Sequence, residues 1–237
     1  MSFRNIIWDF DGTLFDTYPA IVAAFRRTVA DFGAEIAAAE VERLVRVSFT
    51  HILATLQERV GFEPEAVSEH FFTLYLAMPP ESQPPFPGAR ALCRAVVEHG
   101  GQNAIATHRR RDSMLRLLEA YGMRDLFCGF ITLDDGLPRK PDPAPFRLLM
   151  ERCGMDAADT LAVGDRDLDI EGAQAAGLRA CFFGDAPHRS RPDFEVRSLR
   201  ALWPLMWDEA PPPPSPNDGP AGGRQQPGDH IIEEPQV

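Results

Sequence analysis

The stretch Ile6-Ile7-Trp8-Asp9-Phe10-Asp11-Gly12-Thr13-Leu14 carries an apolar run straight into two carboxylates set two residues apart. In an extended chain, residues i and i+2 point to the same side. Asp9 and Asp11 are therefore expected to face one small volume where the strand gives out. Two carboxylates at that spacing repel, and a fold tolerates them only where a cation, a shared proton or both offset the repulsion. Capping a turn needs one acid, not two facing the same way. The pair points to phosphate or metal chemistry.

Downstream of the pair, short apolar runs alternate with helical patterns. Residues 4–9, 103–107, 127–132, 160–164 and 179–183 read as strands, and 89–99, 112–121, 143–153 and 168–176 as helices. Apolar runs without clean alternation are strands buried on both faces. The expected fold class is α/β, a Rossmann-like parallel sheet covered by helices on both sides. One segment breaks the alternation. Ile21, Phe25, Val29 and Phe32 form one stripe, and Val67, Phe71, Leu74, Tyr75 and Met78 another, both at the spacing of a helix burying one face. The expected organisation is an α/β core over residues 1–15 and 86–208, with an inserted all-helical cap over 16–85 lying above the strand ends. Residues 209–237 are rich in Pro and Gly and poor in apolar residues, and read as a disordered tail.

The chain has 237 residues and a formal charge of -11, which argues against a nucleic-acid surface. Arg109-Arg110-Arg111 is the densest basic run, and it is short. No apolar run approaches the length of a membrane span, and the first residues lack the pattern of a secretory signal. Cys93, Cys128, Cys153 and Cys181 are widely separated, with no CxxC pair and no zinc pattern. They read as reduced, mostly buried thiols of a cytoplasmic protein. The expected partner is a small phosphorylated metabolite, with neither nucleic acid nor membrane involved, and the expected state is a monomer or homodimer.

Besides Asp9 and Asp11, three further places fall at or just beyond strand ends. These are Thr107, Lys140 within Arg139-Lys140-Pro141-Asp142-Pro143, and Asp165 with Asp169 within Val163-Gly164-Asp165-Arg166-Asp167-Leu168-Asp169. Ligands of open α/β sheets collect at the carboxyl ends of the strands. The residue types suit phosphoryl transfer. A carboxylate can attack phosphorus, and a second carboxyl can give the leaving alkoxide its proton and later take one from water. A hard divalent cation neutralises acids and phosphate together, while a hydroxyl and an ammonium hold the remaining phosphoryl oxygens. Asp142 reads as a helix N-cap and Asp167 as a solvated or capping acid.

These residues resemble the four motifs of the haloacid dehalogenase-like hydrolase superfamily, in its phosphoglycolate phosphatase-like branch with a helical cap. The resemblance covers residues 2–183, and the motif Asp-x-Asp-Gly-Thr-Leu-x-Asp stands intact from Asp9 to Asp16. It implies that Asp9 is the nucleophile and Asp11 the general acid/base, with Thr107 and Lys140 also in the catalytic set. Gly12, Thr107, His108 and Lys140 then surround the phosphate. The implied metal is Mg2+, held by Asp9, the Asp11 carbonyl and Asp165, with Asp169 as companion. His108 and Arg109 after Thr107, and Arg166 after Asp165, depart from the branch's common residues. His108 and Arg109 stand equally as rim contacts or surface residues.

The implied function is a Mg2+-dependent phosphatase working through an aspartyl-phosphate on a phosphoglycolate-like molecule or a sugar phosphate. A phosphomutase, a haloacid dehalogenase and a receiver-type phosphoacceptor are the alternatives. Asp11 favours phosphoryl transfer over dehalogenation, and the helical insertion argues against a receiver.

Overall fold

A computed structural model describes residues 2–210; most of the segment read as a tail, 211–237, lies outside the described residues. In chain order the elements are β1 (Asn5–Trp8), α1 (Tyr18–Asp31), α2 (Ala38–Val47), α3 (Phe49–Val60), α4 (Pro64–Ala77), α5 (Ala89–Glu98), β2 (Asn103–Ala106) and α6 (Arg111–Ala120). There follow β3 (Phe127–Ile131), α7 (Ala144–Cys153), β4 (Thr160–Gly164), α8 (Asp167–Ala175), β5 (Arg179–Phe183), β6 (Phe194–Val196) and α9 (Trp203–Met206). The chain divides into two compact units, one formed by residues up to Asp16 with those from Pro84 onward, the other by Thr17–Gln83.

In the first unit six strands, all parallel, lie in the order β3-β2-β1-β4-β5-β6. The chain runs outward from β1 through β2 and β3, then returns to the other side of β1 and runs outward again. Strand order therefore reverses between β1 and β4, which opens a crevice at their carboxyl ends. Side chains alternate across the sheet. Ile6 and Trp8 join a core with Leu92 and Val96 of α5 and Met114 and Leu118 of α6, whereas Ile7 meets Phe146 and Leu149 of α7 and Ile170 of α8. Both faces of β1 are dry, which is why its sequence shows no polar alternation. The N-cap of α7 is Pro143, one residue later than its sequence suggests, and Asp142 Oδ1 accepts from Ala144 N at 2.9 Å.

Two features were not read from the sequence. Strand β6 and helix α9 complete the sheet edge and the core beneath it. Three and four residues are too few to show a period, and only their packing defines them. Cysteine chemistry is corrected as well. Cys128 on β3 and Cys153 at the end of α7 are joined in a disulfide, with Cα atoms 6.1 Å apart, while Cys93 and Cys181 are free and buried. The pairing follows from α7 packing on β3, a contact that spacing along the chain does not reveal. Cysteine usage therefore gives no argument for a reducing compartment.

The second unit is four helices around an aromatic core. Phe25 stacks on Phe71 with ring centroids 4.1 Å apart, and Phe49 packs against both. Val67, Phe71 and Tyr75 are buried along α4, as their spacing requires. The α1 stripe ends one turn early: Phe32 lies beyond the helix end, partly exposed, against Phe62 and His70.

A buried amide ties the first unit together. Asn103 Oδ1 accepts from the Trp8 indole N–H at 3.0 Å, and its Nδ2 donates to the Cys93 carbonyl at 2.8 Å and the Leu126 carbonyl at 3.2 Å. One side chain thus joins β1, α5 and the entrance to β3. Asn103→Ala strands a buried donor and two carbonyls, so we expect a loss of about 3 kcal/mol or more. Urea unfolding checks this, as a lower midpoint at unchanged slope.

Candidate active site

Asp9 is the first residue past β1, and its N–H continues the ladder to Val163 O at 2.9 Å. The chain then folds back sharply. Gly12 sits at φ 84°, and its N–H donates to Phe15 O at 2.8 Å. That conformation carries little cost only for glycine. Phe10 stacks on Phe15 beneath the turn, with centroids 4.5 Å apart. The turn gives its two acids different surroundings. Asp9 goes inward and is almost wholly buried, while the Asp11 side chain keeps 23% of its surface and meets Arg109, Nη1 donating to Oδ1 at 2.7 Å. The repulsion expected between them is met by two separate cations.

The cation for Asp9 is Lys140. Its Nζ lies 2.6 Å from Asp9 Oδ1, 2.5 Å from Asp169 Oδ1 and 2.9 Å from the Ala106 carbonyl. An ammonium has three protons, and these three acceptors take them all. Burial works against its charge, but Asp169 and Asp9 overcome this and hold Lys140 above the ordinary lysine range. The same arrangement splits the carboxyls. Burial, reinforced by the Asp169 charge, pushes Asp9 up. Burial also opposes ionisation of Asp169, yet Lys140 and Arg166 outweigh it and hold that carboxyl below its usual range.

His108 fastens the loop that carries Lys140, its Nε2 accepting from Lys140 N at 3.0 Å. A nitrogen that accepts is unprotonated, so the ring proton sits on Nδ1. Burial, with the Lys140 and Arg166 charges, pushes the imidazole down to about 3, so it is neutral near pH 7. Thr107 follows β2; its N–H donates to Ile131 O at 2.9 Å, and its Oγ1 accepts from Arg109 N at 3.0 Å. The hydroxyl proton therefore points away from that bond, available to an anion.

Asp165 follows β4 and is buried, with Arg166 Nε 4.0 Å from its Oδ1 and 3.8 Å from Asp169 Oδ2. Thr13 Oγ1 lies 3.5 Å from both Asp9 Oδ2 and Asp165 Oδ1. Gly164 permits the close approach of α8, since a Cβ there would lie 2.3 Å from the Asp169 Cβ. Asp167 turns away from this cluster and accepts from Arg189 N and Ser190 N at 2.9 and 2.8 Å.

Asp9, Asp165 and Asp169 each present a carboxylate oxygen within 4.8 Å of the others, all three residues buried. Against these three acids stand the Lys140 ammonium and the more distant Arg166, so negative charge is in excess. Oxygen donors with excess negative charge suit a hard divalent cation. The structure thus gathers Asp9, Lys140, Asp165 and Asp169 into one cluster. Thr107 and His108 join through the Arg109 and Lys140 backbones, and Asp11 stands at its edge on Arg109. The Asp11 carboxylate is not among the three clustered acids. Thr13, within the first motif, was given no role from sequence, Arg166 stood only as a departure from the branch's common residues, and Arg109 stood equally as a rim contact or a surface residue.

The chain matches the model for haloacid dehalogenase-like hydrolases over residues 6–183. It is 33% identical over 185 residues to a phosphoglycolate phosphatase of Cereibacter sphaeroides, covering 76% of this chain and 84% of that one. A phosphoglycolate phosphatase of Rhodospirillum rubrum is 31% identical over 185 residues, covering 74% and 77%. Among solved structures, one described as a predicted phosphoglycolate phosphatase from Haemophilus somnus superposes with a TM-score of 0.76 at 20% identity, covering 87% of this chain and 99% of that one. CbbY from Rhodobacter sphaeroides in complex with phosphate gives 0.71 at 21% identity, covering 84% and 96%. At those identities the structural likeness is one of fold. Strand order, the acid cluster at the β1/β4 crevice and the sequence matches together make this chain a member of the haloacid dehalogenase-like hydrolase family, in its phosphoglycolate phosphatase-like branch.

Proposed function

We propose that this protein is a phosphatase that hydrolyses a small phosphorylated metabolite through an aspartyl-phosphate on Asp9. The observation that carries this reading is the buried Asp9 carboxylate held by Lys140 beside Asp165 and Asp169, at the point where strand order reverses. A nucleophile so fixed has little orientation left to lose on the way to attack. One Asp9 oxygen bonds to phosphorus as the ester P–O bond breaks, and Asp11 gives its proton to the departing alkoxide. Water then attacks phosphorus, Asp11 takes a proton from it, and the bond to Asp9 breaks to release phosphate. The Thr107 hydroxyl donates to a phosphoryl oxygen. Lys140 holds Asp9 in place and supplies a fixed positive charge beside the phosphoryl group.

Asp9, Asp165 and the Asp11 backbone carbonyl would hold Mg2+, with Asp169 alongside. Bound there, the ion supplies charge neutralisation of the acids and the phosphate together. Relatives bearing the name phosphoglycolate phosphatase make phosphoglycolate the first substrate to assay, with sugar phosphates beside it.

Asp9→Asn should lower kcat/KM for phosphoglycolate and for a generic phosphomonoester by about a thousandfold or more while the thermal transition is retained. Removal of divalent cations with EDTA should abolish turnover of the unmodified enzyme, and Mg2+ should restore it. Turnover by the variant at the parental rate would refute the assignment of the nucleophile. The metal-free fold holds a proton on Asp9 that the unfolded chain has lost, so this group lowers stability as pH rises from 3.8 towards about 7. Mg2+ opposes that loss by replacing the proton. The gain in Tm on adding Mg2+ should accordingly be larger at about pH 8 than at about pH 5, as read by scanning calorimetry.

A further inference from the structure

Arg109 carries the other charge at this site, and its setting is unusual for a residue in a basic run. Only 8% of its surface is exposed. Its Nη1 donates to Asp11 Oδ1 at 2.7 Å, its Nε donates to Ser113 Oγ at 3.0 Å, and the guanidinium lies 5.4 Å from the centroid of the Phe10 ring. The backbone is held as firmly, with N donating to Thr107 Oγ1 at 3.0 Å and O accepting from Leu133 N at 3.1 Å. Taking a guanidinium out of water costs several kcal/mol, and buried ion pairs are often no more stable than apolar replacements. Stability alone is thus a poor account of Arg109. Ser113 and Phe10 fix the guanidinium from sides other than Asp11, so the partner of the acid is set in place in advance.

We propose that Arg109 is a positioning residue for proton transfer, holding Asp11 through Oδ1 so that the exchanged proton rides on Oδ2. This rests on the assignment of Asp11 as proton donor and acceptor. In the first half-reaction the Asp9–phosphorus bond forms and the ester P–O bond breaks. The proton passes from Asp11 Oδ2 to the alkoxide oxygen, leaving Asp11 a carboxylate beside Arg109. In the second, water oxygen bonds to phosphorus, its proton returns to Asp11, and the bond to Asp9 breaks. A guanidinium binds a carboxylate more strongly than the neutral acid. The contact therefore strengthens as the proton leaves, and an interaction that grows towards the transition state raises the rate.

The test compares an alkyl phosphomonoester, whose alkoxide needs a proton, with 4-nitrophenyl phosphate, whose phenolate does not. The readout is kcat/KM, which covers steps through loss of the leaving group. Arg109→Gln should lower the alkyl value by about tenfold or more, and the aryl value several-fold less. Arg109→Lys, which keeps the buried charge, should recover part of the loss; it carries the same comparison if Arg109→Gln does not fold. In an Asp11→Ala background, Arg109→Gln should cause no further loss with the alkyl substrate. Equal losses with both substrates, or a full additional loss on top of Asp11→Ala, would overturn the proposal. If Asp11→Ala itself leaves the alkyl-to-aryl ratio unchanged, the proton-transfer assignment falls and takes this inference with it. If Asp11→Ala changes the ratio and the Arg109 variants do not, this inference alone falls.

Discussion

Lys140 places an ammonium group 2.6 Å from Asp9 and 2.5 Å from Asp169, with its side chain almost entirely out of water. Charges so buried are tolerated only when each has a partner close by, because desolvation otherwise costs more than the fold can supply. That requirement binds distant parts of the chain to one another. The β3–α7 loop must deliver Lys140, β1 must deliver Asp9, and α8 must come close enough behind β4 to deliver Asp169. Gly164 and His108 serve the same constraint, one by leaving room for Asp169 and the other by accepting the Lys140 backbone N–H.

The lysine does not balance the acids fully. Asp9, Asp165 and Asp169 outnumber it, and the burden shows in Asp9, whose carboxyl is pushed up by burial and by Asp169. Three buried carboxylates close together are the donor chemistry that suits a hard divalent cation. Asp11 stands apart from this. It is paired with Arg109 and partly open to solvent, where Asp9 is buried. Two acids set two residues apart thus occupy different electrostatic surroundings, which is what separate chemical roles require.

Much of the site was legible because each acid, hydroxyl or lysine followed an apolar run, and a parallel sheet brings such positions to one edge. Thr107 and Asp165 lie where that rule puts them, and Lys140 enters on the loop between β3 and α7. Arg109 was legible only as an even choice between rim contact and surface. An arginine in an Arg-Arg-Arg run looks like solvated surface, and its burial depends on a turn at Thr107 and a serine in α6. The Cys128–Cys153 pairing was hidden for a similar reason, since 25 residues of chain separate two groups that meet only when α7 lies on β3. Strand β6 was missed because a three-residue strand owes its existence to the neighbour it pairs with.

What the sequence determined by itself was the class of fold and the chemical kinds gathered at the strand ends: alternating apolar runs and helical periods, and acids, a hydroxyl and a lysine at the breaks between them. These are local properties, written in spacing and residue type. The tertiary structure decided which charge meets which. Lys140 could have paired with either acid of the Asp9–Asp11 turn, and the sharp bend at Gly12 gives it Asp9 while leaving Asp11 to Arg109. Such pairings depend on distances of a few ångströms between segments far apart in the chain, and Coulomb energies at that range change too steeply with distance and burial for spacing to reveal them.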